Sequence, residues 1–136
     1  MSKKKNITIE NVIVTDAGAK GKSVAKAPDG RVIFINNAIP GDVVDVQTTK
    51  KKSAYYEGFA TKFHEYSNRR VTPVCAHFGY CGGCKWQDMN YESQLFYKQK
   101  EVENNLVRLG KITIPELMPI VASENIYFYR NKMEFS

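Results

Sequence analysis

Along the first half of the chain, apolar and polar residues alternate with a period of two. Ile7 and Ile9, then Val12 and Val14, mark a first strand with one buried face. Residues 16–21 are rich in turn formers. Residues 23–27 predict a second strand, 31–35 a third, 43–48 a fourth and 55–63 a fifth, aromatic-rich one. Pro28-Asp29-Gly30 and Ala38-Ile39-Pro40-Gly41-Asp42 separate them. In such turns Pro presets its own φ and Gly accepts a positive one. Five short strands with tight turns predict a small closed β-barrel of the OB or SH3-like kind, whose closure removes exposed edges.

The period changes in the second half. Pro73 keeps Thr72 extended, so the linker is not helical. Asn90 is a helix cap, and Glu92 suits the first turn. Tyr91, Leu95, Val102, Leu106 and Leu109 then recur on one helical face, expected to pack against the preceding loop. Gly110 is the expected left-handed cap. Pro115 and Pro119 interrupt any regular run, and 127–135 alternates again as a strand. The expected organisation is therefore mainly β with one long helix. A barrel occupies 1–68, a cysteine loop and helix 69–110, and the start of a further β domain 111–136. A strand at 127–135 with no partner or turn after it predicts a piece of a longer protein. Residues 2–6 read as a basic tail.

Charge sharpens the division. The net charge of +6 lies wholly in residues 1–74, with 13 Lys/Arg against 7 Asp/Glu, whereas 75–136 balance at 7 against 7. A basic front module suggests a polyanion partner, the bland alternative being lysines that keep the surface soluble. Lys50-Lys51-Lys52 beside Tyr55 and Tyr56 is the best candidate patch. Lysines release counterions from phosphates, and aromatic rings can stack unpaired bases. Lys20, Lys22 and Arg31 are further candidates. No apolar run reaches membrane-span length, and no membrane partner is expected.

All three cysteines fall in one stretch, Cys75-Ala76-His77-Phe78-Gly79-Tyr80-Cys81-Gly82-Gly83-Cys84, spaced C-x5-C-x2-C. Gly82 and Gly83 allow both flanking sulfurs to face one centre. A disulfide would leave one thiol over, and the opening residues do not form a secretory signal. Both point to a reducing, cytoplasmic setting. A catalytic thiol does not need two neighbours of its own kind. Metal or cluster binding through Cys75, Cys81 and Cys84 is favoured. His77 could complete a zinc site, although one residue between Cys75 and His77 is tight for two tetrahedral ligands.

The stretch resembles the RNA uridine-5-methyltransferase family. The matching residues are Cys75, His77-Phe78-Gly79, Cys81-Gly82-Gly83-Cys84, Gln87, Tyr91, Gln94-Leu95 and Lys98. The resemblance runs from about Ile7 to Ser136. It departs at Asp88, where His is frequent, and at Ala76, where Pro is common. The family implies a TRAM domain, a small RNA-binding barrel, matched at Gly18, Gly21, Gly30, Val32-Ile33-Phe34, Pro40-Gly41-Asp42 and Val46. It implies a [4Fe-4S] cluster on the three cysteines plus a fourth downstream, and this chain has no fourth. His77 would then be structural. Tyr129-Arg130-Asn131-Lys132 would open a central domain that helps hold RNA, making Arg130 and Lys132 RNA-binding candidates. S-adenosylmethionine would serve the parent protein only, since this chain lacks a strand–glycine–helix signature and a spare nucleophilic thiol. RNA, ribosomal rather than transfer, is the expected partner, and the chain is expected to be a monomer. The alternative is a stand-alone zinc-containing nucleic-acid-binding protein.

Overall fold

The computed structural model describes residues 6–132. Five strands form a closed barrel in the order β1-β2-β3-β5-β4: β1 (Thr8–Ala17), β2 (Ser23–Lys26), β3 (Val32–Asn36), β4 (Val43–Lys51) and β5 (Tyr55–Glu65). All pairings are antiparallel except β3 with β5, a Greek-key closure of the OB kind. β1 reaches both neighbours by bending. It pairs with β4 at Thr8–Ile13 and with β2 beyond Val14, and its register shifts between Ile9 and Val12 and again between Val14 and Asp16. Asn11, at φ 52°, sits in the first irregularity, and its N–H donates to Asp45 Oδ1 at 3.0 Å.

The alternation read from the sequence is the core. Ile9, Val12, Val14, Ala25, Ile33, Ile35, Val44, Val46, Tyr56 and Ala60 are buried together, while Ile13 faces out. β5 approaches β4 closely at Gly58, where any Cβ would collide with the Gln47 carbonyl. Three observed strands, β1, β4 and β5, run beyond the expected ones, whereas β2 ends one residue earlier and β3 is shifted by one.

Asp42, in the turn before β4, is fully buried and fully satisfied. Its Oδ1 accepts from Ser67 N (2.8 Å) and Arg70 Nε (2.9 Å), and its Oδ2 from Ile39 N (2.8 Å) and Arg70 Nη2 (2.6 Å). Four donors match the capacity of one carboxylate. Arg70 also donates from Nη1 to Asp88 Oδ2 at 3.1 Å, and its guanidinium lies over Phe63 and Tyr66. The backbone repeats the tie. Arg70 pairs with Met89, Val71 N donates to Asp88 O, and Asn90 N donates to Arg69 O. Residues between 71 and 88 are thus an excursion whose two ends are clamped together and to the barrel.

The helix α1 (Tyr91–Asn104) follows at once. Asn90 caps it as expected, Oδ1 accepting from Ser93 N at 2.8 Å. The expected apolar stripe is corrected. The buried helical residues are Ser93 and Tyr97, and Val102 and Leu109 are exposed. The helix docks on both the barrel and the end of the loop, through a second small core in which Ala17 and Ile39 of the barrel meet Met89 and Tyr97, with Trp86 against it. Arg69 fixes its first turns, donating to Ser93 Oγ at 2.8 Å beneath the Phe96 and Tyr97 rings. The cap expected at Gly110 is also different. The helix ends in a π-helical turn (Asn105–Leu109), with Gly110 N donating to Asn105 O, and Gly110 keeps a right-handed φ of −73°. The wider turn postpones the reversal by one residue, so Lys111 takes the positive φ.

Residues 127–132 are not a strand, and the rest of that expected element lies outside the described residues, as do residues 1–5 of the expected tail. Every described strand belongs to the closed barrel, which leaves no edge for another to join.

Replacing Arg70 with Ala leaves the Asp42 charge buried and half-partnered. Urea unfolding is expected to show a loss of about 3–5 kcal/mol. Arg70→Lys should fall between, because an ammonium cannot bond both oxygens in parallel. A loss near zero for Arg70→Ala would mean that the pair does not hold the two halves together.

Candidate nucleic-acid interface and cysteine loop

Outward residues of β3, β4 and β5, with Lys22 just before β2, form one face of the barrel. The parallel register sets Val32 opposite Tyr55, Phe34 opposite Glu57 and Asn36 opposite Phe59. Phe34 and Tyr55 meet edge to face at 5.6 Å between centroids, and Phe59 is exposed beside them. Glu57 sits among these rings, with Lys22 Nζ at 3.5 Å and Lys50 Nζ at 3.4 Å. Partial burial pushes the Glu57 carboxyl up, but the two lysines outweigh it and hold it below its usual range. The result is an aromatic surface edged by cations.

The expected RNA-binding residues divide accordingly. Lys22, Lys50 and Tyr55 come together on this face. Lys51 and Lys52 lie at its hairpin end, where Lys52 N donates to Tyr55 O. Arg31 is otherwise engaged. It donates to the Lys52 carbonyl at 3.0 Å, pairs with Asp29 at 3.2 Å and covers the buried Tyr56 ring. Tyr56 in turn donates to Asp29 Oδ2 at 2.7 Å. The Asp29 carboxyl is held low by the Arg31 N–H and by this phenol, and the Tyr56 phenol is pushed up by the same bond. Arg31 therefore braces the end of the barrel. Lys20 lies in the 3-10 turn Ala19–Gly21 at φ 60°, outside the strands that carry the rings. Arg130 lies against Gly83 in the cysteine loop, and Lys132 ends the described residues. Phe34 and Phe59 were missing from the sequence-level set. Their outward position follows from the alternation in β3 and β5, but their adjacency needs the parallel β3–β5 pairing.

The cysteine loop is shaped by its polar neighbours. Gln87 spans it, Oε1 accepting from Cys75 N at 2.7 Å and Nε2 facing Cys84 Sγ at 3.7 Å. The His77 carbonyl accepts from Tyr80 N and Cys81 N, which closes the turn between them. Gln94 Nε2 donates to the Trp86 and Met89 carbonyls, and Tyr91 OH accepts from Ser123 N. Trp86 Nε1 donates to Gly21 O at 3.2 Å, seating the loop on the barrel. All three thiols are free and exposed. Among the described residues no three His, Cys, Asp or Glu side chains are gathered as a metal-holding group. As folded here, Cys75, Cys81, Cys84 and His77 are not gathered around one centre, so a [4Fe-4S] cluster or a zinc ion would have to draw them together.

Asp88 closes the loop at a cost. Its Oδ1 is buried with no hydrogen-bond partner among the described residues, while Oδ2 accepts from Arg70 Nη1. Burial pushes the Asp88 carboxyl above its ordinary range, against the pull of Arg70. The folded state thus binds this proton more tightly than the unfolded chain. The stabilisation is complete below the ordinary Asp value of about 4 and is lost as pH rises through the higher folded value. In a urea series from neutral to weakly acid pH, the wild type is expected to gain stability relative to Asp88→Asn as pH falls. A pH-independent difference would rule this out.

Residues 3–61 match the TRAM domain family. The chain is 54% identical over 118 residues to an uncharacterized RNA methyltransferase of Bacteroides thetaiotaomicron, covering 87% of this chain and 26% of that protein. It is 43% identical over 123 residues to one of Porphyromonas gingivalis, covering 90% and 26%. It is 38% identical over 127 residues to the 23S rRNA (uracil(1939)-C(5))-methyltransferase RlmD of an Acidovorax species, covering 90% and 26%. The chain spans about a quarter of the length of these curated relatives.

Proposed function

Because the chain carries a TRAM domain and is related over most of its length to RNA methyltransferases, we propose that it is the RNA-engaging part of a uridine-C5 RNA methyltransferase. The observation that carries this reading is the barrel face on which Phe34, Tyr55 and Phe59 stand among Lys22 and Lys50. Rings offer stacking to unpaired bases, and lysines offer counterion release, neither of which needs a particular sequence. Ribosomal RNA is the proposed substrate, the name of the Acidovorax relative supporting it. The proposed setting is a reducing cytoplasm, with the chain acting as a monomer.

Methyl transfer itself is assigned to the remainder of such a protein. S-adenosylmethionine would supply the methyl group. Among the described residues, every strand is spent on the barrel and none leads into a glycine-rich turn and helix suited to that cofactor. The contribution of these residues is to bind and orient RNA.

The cysteine loop is proposed as three quarters of a [4Fe-4S] site, supported by the C-x5-C-x2-C spacing and by the Gln87 tie between its ends. The fourth ligand must come from outside this sequence. Anaerobic reconstitution with iron and sulfide is expected to give a brown, iron- and sulfide-containing species when a small monothiol is added as fourth ligand. Zinc bound without sulfide would favour the zinc-module alternative instead.

For RNA, Phe34→Ala and Tyr55→Ala are each expected to weaken binding of a single-stranded oligonucleotide by roughly tenfold, the scale of one lost stack. Lys50→Ala should flatten the dependence of log affinity on log salt by about 0.7. Fluorescence anisotropy across a salt series reads both. Unchanged affinity in both aromatic variants would sink the assignment of this face.

A further inference from the structure

A groove of about 750 Å³ opens between the barrel turn at Gly18 and Gly21, the cysteine loop, α1 and residues 126–130. Resting on the function proposed above, we infer that this groove is a second nucleotide subsite. It takes the base and phosphate of a single-stranded RNA nucleotide next to those held on the barrel face.

Three observations carry it. The first is charge. Lys85, Lys98 and Arg130 line the groove against the carboxylate of Glu101, an excess that suits a phosphate. The Arg130 guanidinium reaches Gly83, where a Cβ would stand 3.1 Å from Nη1, so the bare glycine leaves room for it. The second is the aromatic wall. Phe128 is fully exposed and held at φ 56°, a conformation costly for a bulky residue. A strained aromatic ring kept wholly in solvent at the rim of a groove is poorly explained by packing, and it is a ready stacking platform. The third is continuity. Gly21 lines the groove, and the next residue, Lys22, extends to Glu57 on the barrel face. A phosphate backbone leaving Phe34 and Tyr55 would pass Lys22 and enter the groove.

The test compares oligouridines of about 4 and about 12 nucleotides, which bracket single-site and extended binding. They are titrated against wild type, the double variant Phe128→Gly/Lys98→Ala, and Phe34→Ala. Glycine retains the left-handed backbone at 128, and both groove residues are exposed, so folding should be preserved, as thermal unfolding checks. Wild type should gain roughly tenfold or more on lengthening. The double variant should lose that gain, and Phe34→Ala should weaken both lengths. Crosslinks from 4-thiouridine in the longer oligomer should map to residues 126–130. If the double variant gains on lengthening as wild type does, and no crosslinks fall there, the groove is not a subsite while the barrel reading survives. If wild type binds neither oligomer, both are overturned.

Discussion

The buried carboxylate of Asp42 is the constraint on which the rest of the molecule depends. A charge with no solvent access is tolerated only when its oxygens are fully hydrogen-bonded. Here the four donors come from three places: the Ile39 amide in the same turn, the Ser67 amide just after β5, and two nitrogens of Arg70. Meeting that demand fixes the path of the chain as it leaves the barrel. Arg70 is then in position to take Asp88 with Nη1, and its backbone pairs with Met89. The cysteine loop and the start of α1 thereby inherit their positions from one turn of the barrel.

The same economy frees the barrel's outward side chains. Closure satisfies the backbone groups of all five strands within the barrel, so its outward side chains need only meet solvent or a ligand. On the β3–β5 face those side chains are aromatic, with lysines held to Glu57. Glu57 keeps Lys22 and Lys50 near the rings without burying either, which leaves both able to exchange a carboxylate for a phosphate. The cysteine loop is built differently. It is anchored at both ends and braced by Gln87, yet its thiols remain exposed and ungathered. It is a held loop rather than a completed metal site.

Much of this was legible in the residues. The alternation and the turn residues located all five strands, and in β1 the core residues Ile9, Val12 and Val14, because a half-buried strand must alternate. Pro40-Gly41-Asp42 was readable as a turn, Asn90 as a cap, and the cysteine spacing as a loop of special chemistry. The helix face was not legible. An apolar stripe identifies what could be buried, but what is buried depends on the surface that arrives opposite. Here Ala17, Ile39 and Met89 met Tyr97, leaving Val102 and Leu109 in solvent.

The sequence by itself determined the local states: which segments are strands, where the chain turns, where the charge lies and which thiols share a loop. These follow from short-range sterics and from side-chain period, which act within a few residues. Only the tertiary structure decided which distant residues meet. The parallel pairing of β3 with β5 assembles Phe34, Tyr55 and Phe59 into one face and commits Arg31 to Asp29 and Tyr56. The Asp42–Arg70 pair, 28 residues apart, joins loop to barrel. Such contacts are chosen by the joint satisfaction of burial and hydrogen bonding across the whole fold, and no local pattern encodes that.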